Sequence, residues 1–260
     1  MKTSFTNKII WITGASSGIG ALMARRLSEL GAELILTARS EDKLREIAAS
    51  LPGPSVAIPM DVASEEQVNR TAEQILARYG RIDILINNAG YGVFERVEDA
   101  SLDTIEDMMN VNYFGTVRCI KAVLPSMRQA GSGHIVNIAS MAGKIGSAKS
   151  SGYSASKHAV LGFTNCLRQE LAGTGIGLTA VNPGPIDTPF FDRADPSGTY
   201  VNNVRWFMLK PEKVAEAVIA GIEREKAEVN LPFTANAGVK LYQLFPRLLD
   251  RVAIRMLSKK

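Results

Sequence analysis

The sequence is poor in the residues that staple small proteins or hold metals: 260 residues contain 2 cysteines and 2 histidines. Cys119 and Cys166 cannot build a disulfide scaffold, and their scarcity fits a reducing compartment. His134 and His158 stand apart, without the clustered Cys and His of a zinc site or a partner pattern that marks a catalytic base. Aromatics are only 7% of the chain. No apolar run reaches the ~18 residues of a membrane-spanning helix. The opening "MKTSFTNK" has no apolar signal-peptide region. The expectation is a soluble, cytoplasmic chain with no resident metal.

Charge of one sign is also scarce across most of the chain. The net charge is +4. From Thr234 to Lys260 there are six bases (Lys240, Arg247, Arg251, Arg255, Lys259, Lys260) against Asp250 alone, and the remaining 233 residues are near neutral. A nucleic-acid binder spreads its bases over a recognisable module. None is present, so no nucleic-acid partner is expected.

What is there is alternation. Short runs rich in Ile, Leu and Val at 8–13, 32–37, 55–60, 82–87, 134–139 and 176–181, with "AEVNLP" at 227–232, read as buried parallel strands. Helical patterns fill 18–30, 41–50, 64–79, 102–129, 154–173 and 211–225, and "SEEQ" from Ser64 is a capping signature. This predicts an α/β fold, a doubly wound parallel sheet of seven strands with helices on both faces. It forms a single domain over 1–233, followed by a basic amphipathic tail over 234–260. Residues 187–210 have no period and read as a binding loop.

After the first strand, "TGASSGIG" places Gly14, Gly18 and Gly20 between strand and helix. Missing side chains let backbone N–H groups approach a pyrophosphate at a helix N-terminus. With "DV" (61–62), "NNAG" (87–90), "NVN" (110–112), "IVNIAS" (135–140), "YSASK" (153–157) and "NPGPIDT" (182–188), the chain resembles the short-chain dehydrogenase/reductase family over residues 7 to 230. The resemblance implies a Rossmann-like fold and an oxidoreductase that uses a nicotinamide cofactor. In that fold an acid after the second strand binds the adenosine ribose, whereas an arginine there accommodates a 2′-phosphate. Here Ala38 takes the acid's place, followed by Arg39 and Ser40. A guanidinium fork suits phosphate, so NADP(H) is expected over NAD(H). A surface arginine opening a helix is the plain alternative.

The resemblance further implies that Gly14, Ser16, Ser17, Gly18, Ile19 and Gly20 cradle the cofactor. Asp61 and Val62 meet the adenine, and Asn88, Ala89 and Gly90 line the adenosine side. Pro183, Gly184, Ile186 and Thr188 border the nicotinamide. Asn87 or Asn88 can equally cap a strand. Tyr153 and Lys157, four apart, share a helical face. An ammonium beside a phenol favours the phenolate and lowers its pKa, which suits proton transfer. By resemblance Ser140 bonds the substrate oxygen, Tyr153 is the general acid/base and Lys157 holds the nicotinamide ribose. Asn112, the fourth member of the catalytic set, holds a relay water or is simply a helix-internal amide.

In 187–210, Phe190, Phe191, Tyr200, Trp206, Phe207 and Met208 point to an apolar pocket for a hydrophobic carbonyl or secondary alcohol, with Phe190, Phe191 and Trp206 the substrate-facing candidates. The same aromatics could merely pack the loop down. A 3-oxoacyl-carrier-protein reductase is a second enzyme reading, and a non-catalytic NADP-binding sensor or scaffold is a reading of another class. A homodimer or homotetramer is expected, as in relatives. In the tail Arg247, Arg251, Arg255 and Lys259 recur every four residues opposite an apolar side. Such a helix, which Pro246 starts or kinks, packs on its own domain or a subunit, or less favourably lies on an anionic membrane.

Overall fold

The computed structural model describes residues 4–247, and the strand-helix alternation becomes one seven-stranded sheet. The elements run β1 (Ile9–Thr13), α1 (Gly18–Glu29), β2 (Glu33–Ala38), α2 (Glu41–Ala49), β3 (Ser55–Pro59), α3 (Glu65–Tyr79) and β4 (Ile84–Asn87). Then follow α4 (Leu102–Met109), α5 (Gly115–Ala130), β5 (Gly133–Ile138), α6 (Ser151–Glu170) and β6 (Ile176–Pro183). The chain continues through α7 (Phe190–Ala194), α8 (Thr199–Val204), α9 (Pro211–Glu223), β7 (Glu228–Leu231) and α10 (Phe233–Leu244). Each expected strand is present within a few residues of its expected place.

The strands are parallel in the order β3-β2-β1-β4-β5-β6-β7. Order reverses beside β1, and the crevice at that switch, at the carboxyl ends of β1 and β4, is where such sheets bind ligands. Period-two alternation buries both faces. Ile10, Ile12, Leu34 and Leu36 pack against Met23, Leu27, Val218 and Ile222 of α1 and α9. Ile9, Trp11, Ile35 and Leu85 pack against Val68, Ile75, Ile120, Val123 and Leu167 of α3, α5 and α6. Trp11 is fully buried, and its indole N–H donates to Thr37 Oγ1 at 3.0 Å, as a buried donor requires. Ser64 caps α3 by accepting the Gln67 N–H at 3.3 Å, while the Gln67 amide reaches past it to the Asp61 N–H at 2.9 Å.

Two expectations change. The helix expected over 102–129 is divided by a π-helical turn, Asn110–Phe114, which carries Asn112. The 187–210 stretch folds into α7, α8 and a 3₁₀ turn, Arg205–Phe207. At the carboxyl end, α10 stops at Leu244 and helical backbone resumes at Pro246. The basic stripe residues Arg251, Arg255 and Lys259 lie outside the described residues.

Candidate functional site

The loops after β1 and β4 are stitched together by Thr13 and Asn88. Thr13 Oγ1 accepts the backbone N–H groups of Asn88 and Ala89, both at 3.0 Å. Asn88 Nδ2 donates to the carbonyls of Thr13 and Gly14 at 3.0 and 2.9 Å. Asn88 thus braces the strand end and also lines the cavity, so both readings raised for it stand. Gly14 has φ +65°, and a Cβ there would sit 2.8 Å from Ala89 Cα. A Cβ at Gly20 would meet Gly14 O at 2.3 Å. Gly20 therefore serves the close approach of helix and loop and does not itself line the cavity. The stitch leaves Ser17, Gly18 and Ile19 at the head of α1 facing the cavity, where unpaired N–H groups and the helix dipole favour an anion.

That cavity, of about 630 Å³, runs along the carboxyl edge of the sheet. This is the size of small-molecule sites. One end holds Arg39, Ser40, Asp61 and Val62. Arg39 is exposed and makes no ion pair among the described residues. Asp61 Oδ1 accepts the Ala63 N–H at 2.9 Å, and Val62 fills the space over Gly115. Gly14, Ser16, Ala89 and Gly90 line the middle. The far end holds Ser140, Tyr153, Lys157, Pro183, Gly184, Ile186, Thr188, Phe190 and Phe191.

Tyr153 and Lys157 project from the first turns of α6 and are both buried. Lys157 Nζ donates to the Ile138 carbonyl at 2.8 Å and lies 5.9 Å from the centre of the Tyr153 ring. Burial lowers the Lys157 pKa to about 8. It pushes Tyr153 up to about 12, against the pull of the neighbouring Ser140 hydroxyl. The net shift is upward where a lowering was expected: desolvation of the phenolate outweighs the favourable neighbours, and the phenol stays a proton donor. Ser140 Oγ accepts the Ala142 N–H at 3.0 Å and donates to Pro183 O at 3.4 Å.

Asn112 is buried behind this pair rather than in the cavity lining. Its Oδ1 accepts the Tyr91 N–H, and its Nδ2 donates to Tyr91 O and Ser156 Oγ, all at 2.9 Å. The amide thus fastens the loop after β4 onto α6. A Cβ at Gly90 would approach Asn112 Oδ1 to 2.9 Å and Lys157 Nζ to 3.4 Å, so all three meet there.

Sequence reasoning misplaced Trp206, named Tyr200 among the loop aromatics, and missed Phe94, Tyr91 and Arg118. Trp206 lies outside the cavity lining, 83% exposed and packed edge-on to Phe207, because the 3₁₀ turn aims it outward. Phe94 and Tyr200 do line the cavity, and with Tyr153, Phe190 and Phe191 they form an aromatic cluster with Phe94 at its centre. Tyr91 carries the Arg193 guanidinium 3.5 Å from its ring centre and bonds Asp107 through its hydroxyl. Arg118 donates to Asn110 Oδ1 at 2.8 Å and to Val62 O at 3.3 Å, bracing the π turn against the 61–62 loop. These contacts join residues remote in sequence, and only the aromatic content of 190–207 hinted at them. His134 sits at the start of β5, with its ring Nε2 2.8 Å from Thr179 Oγ1. Among the described residues no group of three or more His, Cys, Asp or Glu could hold a metal ion.

Residues 8–197 match the model of the short chain dehydrogenase family. A Staphylococcus aureus protein named as an uncharacterized oxidoreductase is 38% identical over 225 residues, covering 86% of this chain and 94% of that one. Among solved structures, a short chain dehydrogenase/reductase from Burkholderia phymatum in complex with NAD superposes with a TM-score of 0.87 at 26% identity, over 95% of this chain and 96% of that one. Levodione reductase matches with a TM-score of 0.80 at 30% identity, over 87% and 96% of the two chains. With the glycine loop, the seven-stranded parallel sheet and the family match in register, this chain belongs to the short-chain dehydrogenase/reductase family of oxidoreductases.

Proposed function

We propose that the protein is an NADP(H)-dependent reductase of a hydrophobic ketone or aldehyde, running in reverse as a secondary-alcohol dehydrogenase. The observation that carries the reading is the burial of Tyr153 and Lys157 beside Ser140 at one end of a cavity whose other end is Arg39. The residues fit a dinucleotide. Gly14 and Gly20 leave no room for a side chain, Ser17, Gly18 and Ile19 offer a helix head to the pyrophosphate, and among the described residues Arg39 has no carboxylate partner to compete with a 2′-phosphate. A relative of the same fold is described with NAD bound. What favours NADP(H) here is Ala38 in the acid's place, followed by Arg39.

When bound, a nicotinamide supplies hydride to the carbonyl carbon. This chain's groups manage the oxygen and the proton. Ser140 and Tyr153 hold the carbonyl oxygen, and the Tyr153 hydroxyl gives it a proton. A phenol held near 12 is protonated at neutral pH, which suits the reducing direction. Lys157, fixed by the Ile138 carbonyl, holds the ribose and offers the positive charge that steadies the tyrosinate left behind. Asn112 is a positioning residue that keeps Gly90 and Tyr91 against α6. Phe94, Phe190, Phe191 and Tyr200 give the apolar wall that selects the substrate. A dimer or tetramer built on helices of the 102–129 and 154–173 segments completes the proposal.

Steady-state oxidation of NADPH and NADH, side by side, with ketones, aldehydes, steroids and 3-oxoacyl thioesters tests it. The expected result is turnover with NADPH on bulky apolar carbonyls. An NADH preference overturns the role of Arg39. NADPH binding without turnover on any carbonyl favours the sensor reading.

A further inference from the structure

The outer face of α10 has the polarity of a core. Phe233, Ala237, Leu241 and Leu244 recur at helical spacing, forming one stripe, and all four are exposed. Val239 is buried toward the body instead. Phe233 is 83% exposed and Leu244 72%, and Phe245 just beyond the helix is also exposed. A second exposed apolar pair, Trp206 and Phe207, is tied in nearby. Leu209 donates to Pro185 O at 2.8 Å, and the adjacent Gly184 donates to Leu231 O at 2.7 Å, two residues before α10. Of the ten exposed large hydrophobics among the described residues, four (Phe233, Leu241, Leu244 and Phe245) lie on or just beyond α10 and two (Trp206 and Phe207) on the 205–207 turn. An exposed apolar stripe of this kind marks an interaction site.

Charge identifies the occupant. No acid lies between Pro232 and Arg247, Lys240 and Arg247 flank the stripe in the open, and Arg251, Arg255, Lys259 and Lys260 follow with Asp250 the single acid. Among the described residues of this segment, Lys240 and Arg247 give it a charge of one sign. A two-fold dimer through the same face would set like charges against each other. An acidic bilayer surface satisfies both properties, taking the apolar stripe into its interface and the bases against its headgroups. We propose that α10, with the Trp206–Phe207 turn, is the surface by which the protein docks on anionic membranes, lying on the bilayer without crossing it.

Co-sedimentation of the full-length protein with vesicles of phosphatidylcholine alone, and of phosphatidylcholine with phosphatidylserine, tests this. Tryptophan emission is read in parallel. Trp11 is fully buried, so any shift on adding vesicles reports Trp206. The expected result is retention on the anionic vesicles only, a blue shift of Trp206, and release by added salt. Each base at the surface is worth about fivefold in affinity. A Lys240→Glu/Arg247→Glu pair should therefore weaken retention at least tenfold, and Leu241→Asp/Leu244→Asp should abolish it. NADPH binding and the thermal midpoint should stay unchanged in both, which separates docking from folding and from the catalytic reading. Equal retention on both vesicle types, no retention, or retention with the Trp206 spectrum unmoved overturns the proposal. So does an apolar-stripe variant that binds like the parent but loses a concentration-dependent dimer.

Discussion

The half of the cavity proposed for the cofactor and the half proposed for the substrate are built by different forces. Around Thr13, Gly14, Asn88 and Gly20 the walls are backbone, stitched by four short hydrogen bonds, and a single added Cβ collides with main chain. Around Phe94, Phe190, Phe191 and Tyr200 the walls are ring edges packed on one another, with centroids 4.8 to 6.4 Å apart. Backbone stitching admits one geometry and repels substitution. Ring packing tolerates a change of shape, so it can alter selectivity while the reaction survives. Tyr153 belongs to both: it sits in the aromatic cluster and takes its chemistry from α6.

Several changes sharpen or break that contrast. Of these Lys157→Met should have the largest effect, lowering the reductase rate by roughly 10² or more, since in the proposed mechanism its charge steadies the tyrosinate. A Lys157→Met enzyme within threefold of the parent in steady-state assays would detach the pair from the chemistry. Gly20→Ala should come next. Its Cβ would lie 2.3 Å from Gly14 O, and overpacking of this kind costs about 1–3 kcal/mol. Chemical denaturation should read that loss together with weakened binding of both cofactors. Arg39→Ala should weaken NADPH by about 1.5–3 kcal/mol, the worth of a charged hydrogen bond, and leave NADH alone; fluorescence titration with each reads the difference, and equal losses would contradict it.

A smaller, graded effect follows from pH. The folded Lys157 pKa is lowered to about 8, so its ammonium is present below that value and lost as pH rises through it. The rate of carbonyl reduction should fall on the alkaline side of about pH 8, well before Tyr153, held near 12, ionises. A profile flat to pH 10 would remove Lys157 from the reactive step. The smallest effect is the comparison of Phe190→Ala with Trp206→Ala. Phe190 lines the cavity and lies 5.5 Å from the Tyr153 ring, whereas Trp206 does not line it. Phe190→Ala should raise KM for bulky ketones several-fold. Trp206→Ala should leave both kcat and KM with water-dissolved substrates in place.

The same division governs what could be read before the structure. Strands announced themselves by apolar runs, whereas Tyr153, Lys157 and Ser140 were singled out by the motifs that carry the family resemblance, since their spacing alone is common. Helix continuity misled at 102–129: nothing local distinguishes Asn110–Phe114 from α-helix, and the π turn is held by remote partners, Arg118 on α5, Val62 after β3 and Tyr91 after β4. The direction of the Tyr153 pKa escaped for a related reason. Spacing brings Lys157 near, but how completely the phenol is desolvated depends on Phe94, Phe190 and Tyr200 from distant segments. Trp206 was misjudged because an aperiodic stretch carries no signal for which way its side chains turn.

The central claim is that Tyr153 delivers the proton in a site whose cofactor wall stands independently of it. The most direct measurement is the steady-state NADPH-dependent reductase rate of Tyr153→Phe, with NADPH affinity titrated on the same preparation. The account predicts a rate lower by about 10²–10⁴-fold with affinity within a few-fold of the parent, since Phe keeps the ring contacts and loses only the hydroxyl. A variant that keeps most of its rate, while binding NADPH as the parent does, would contradict it.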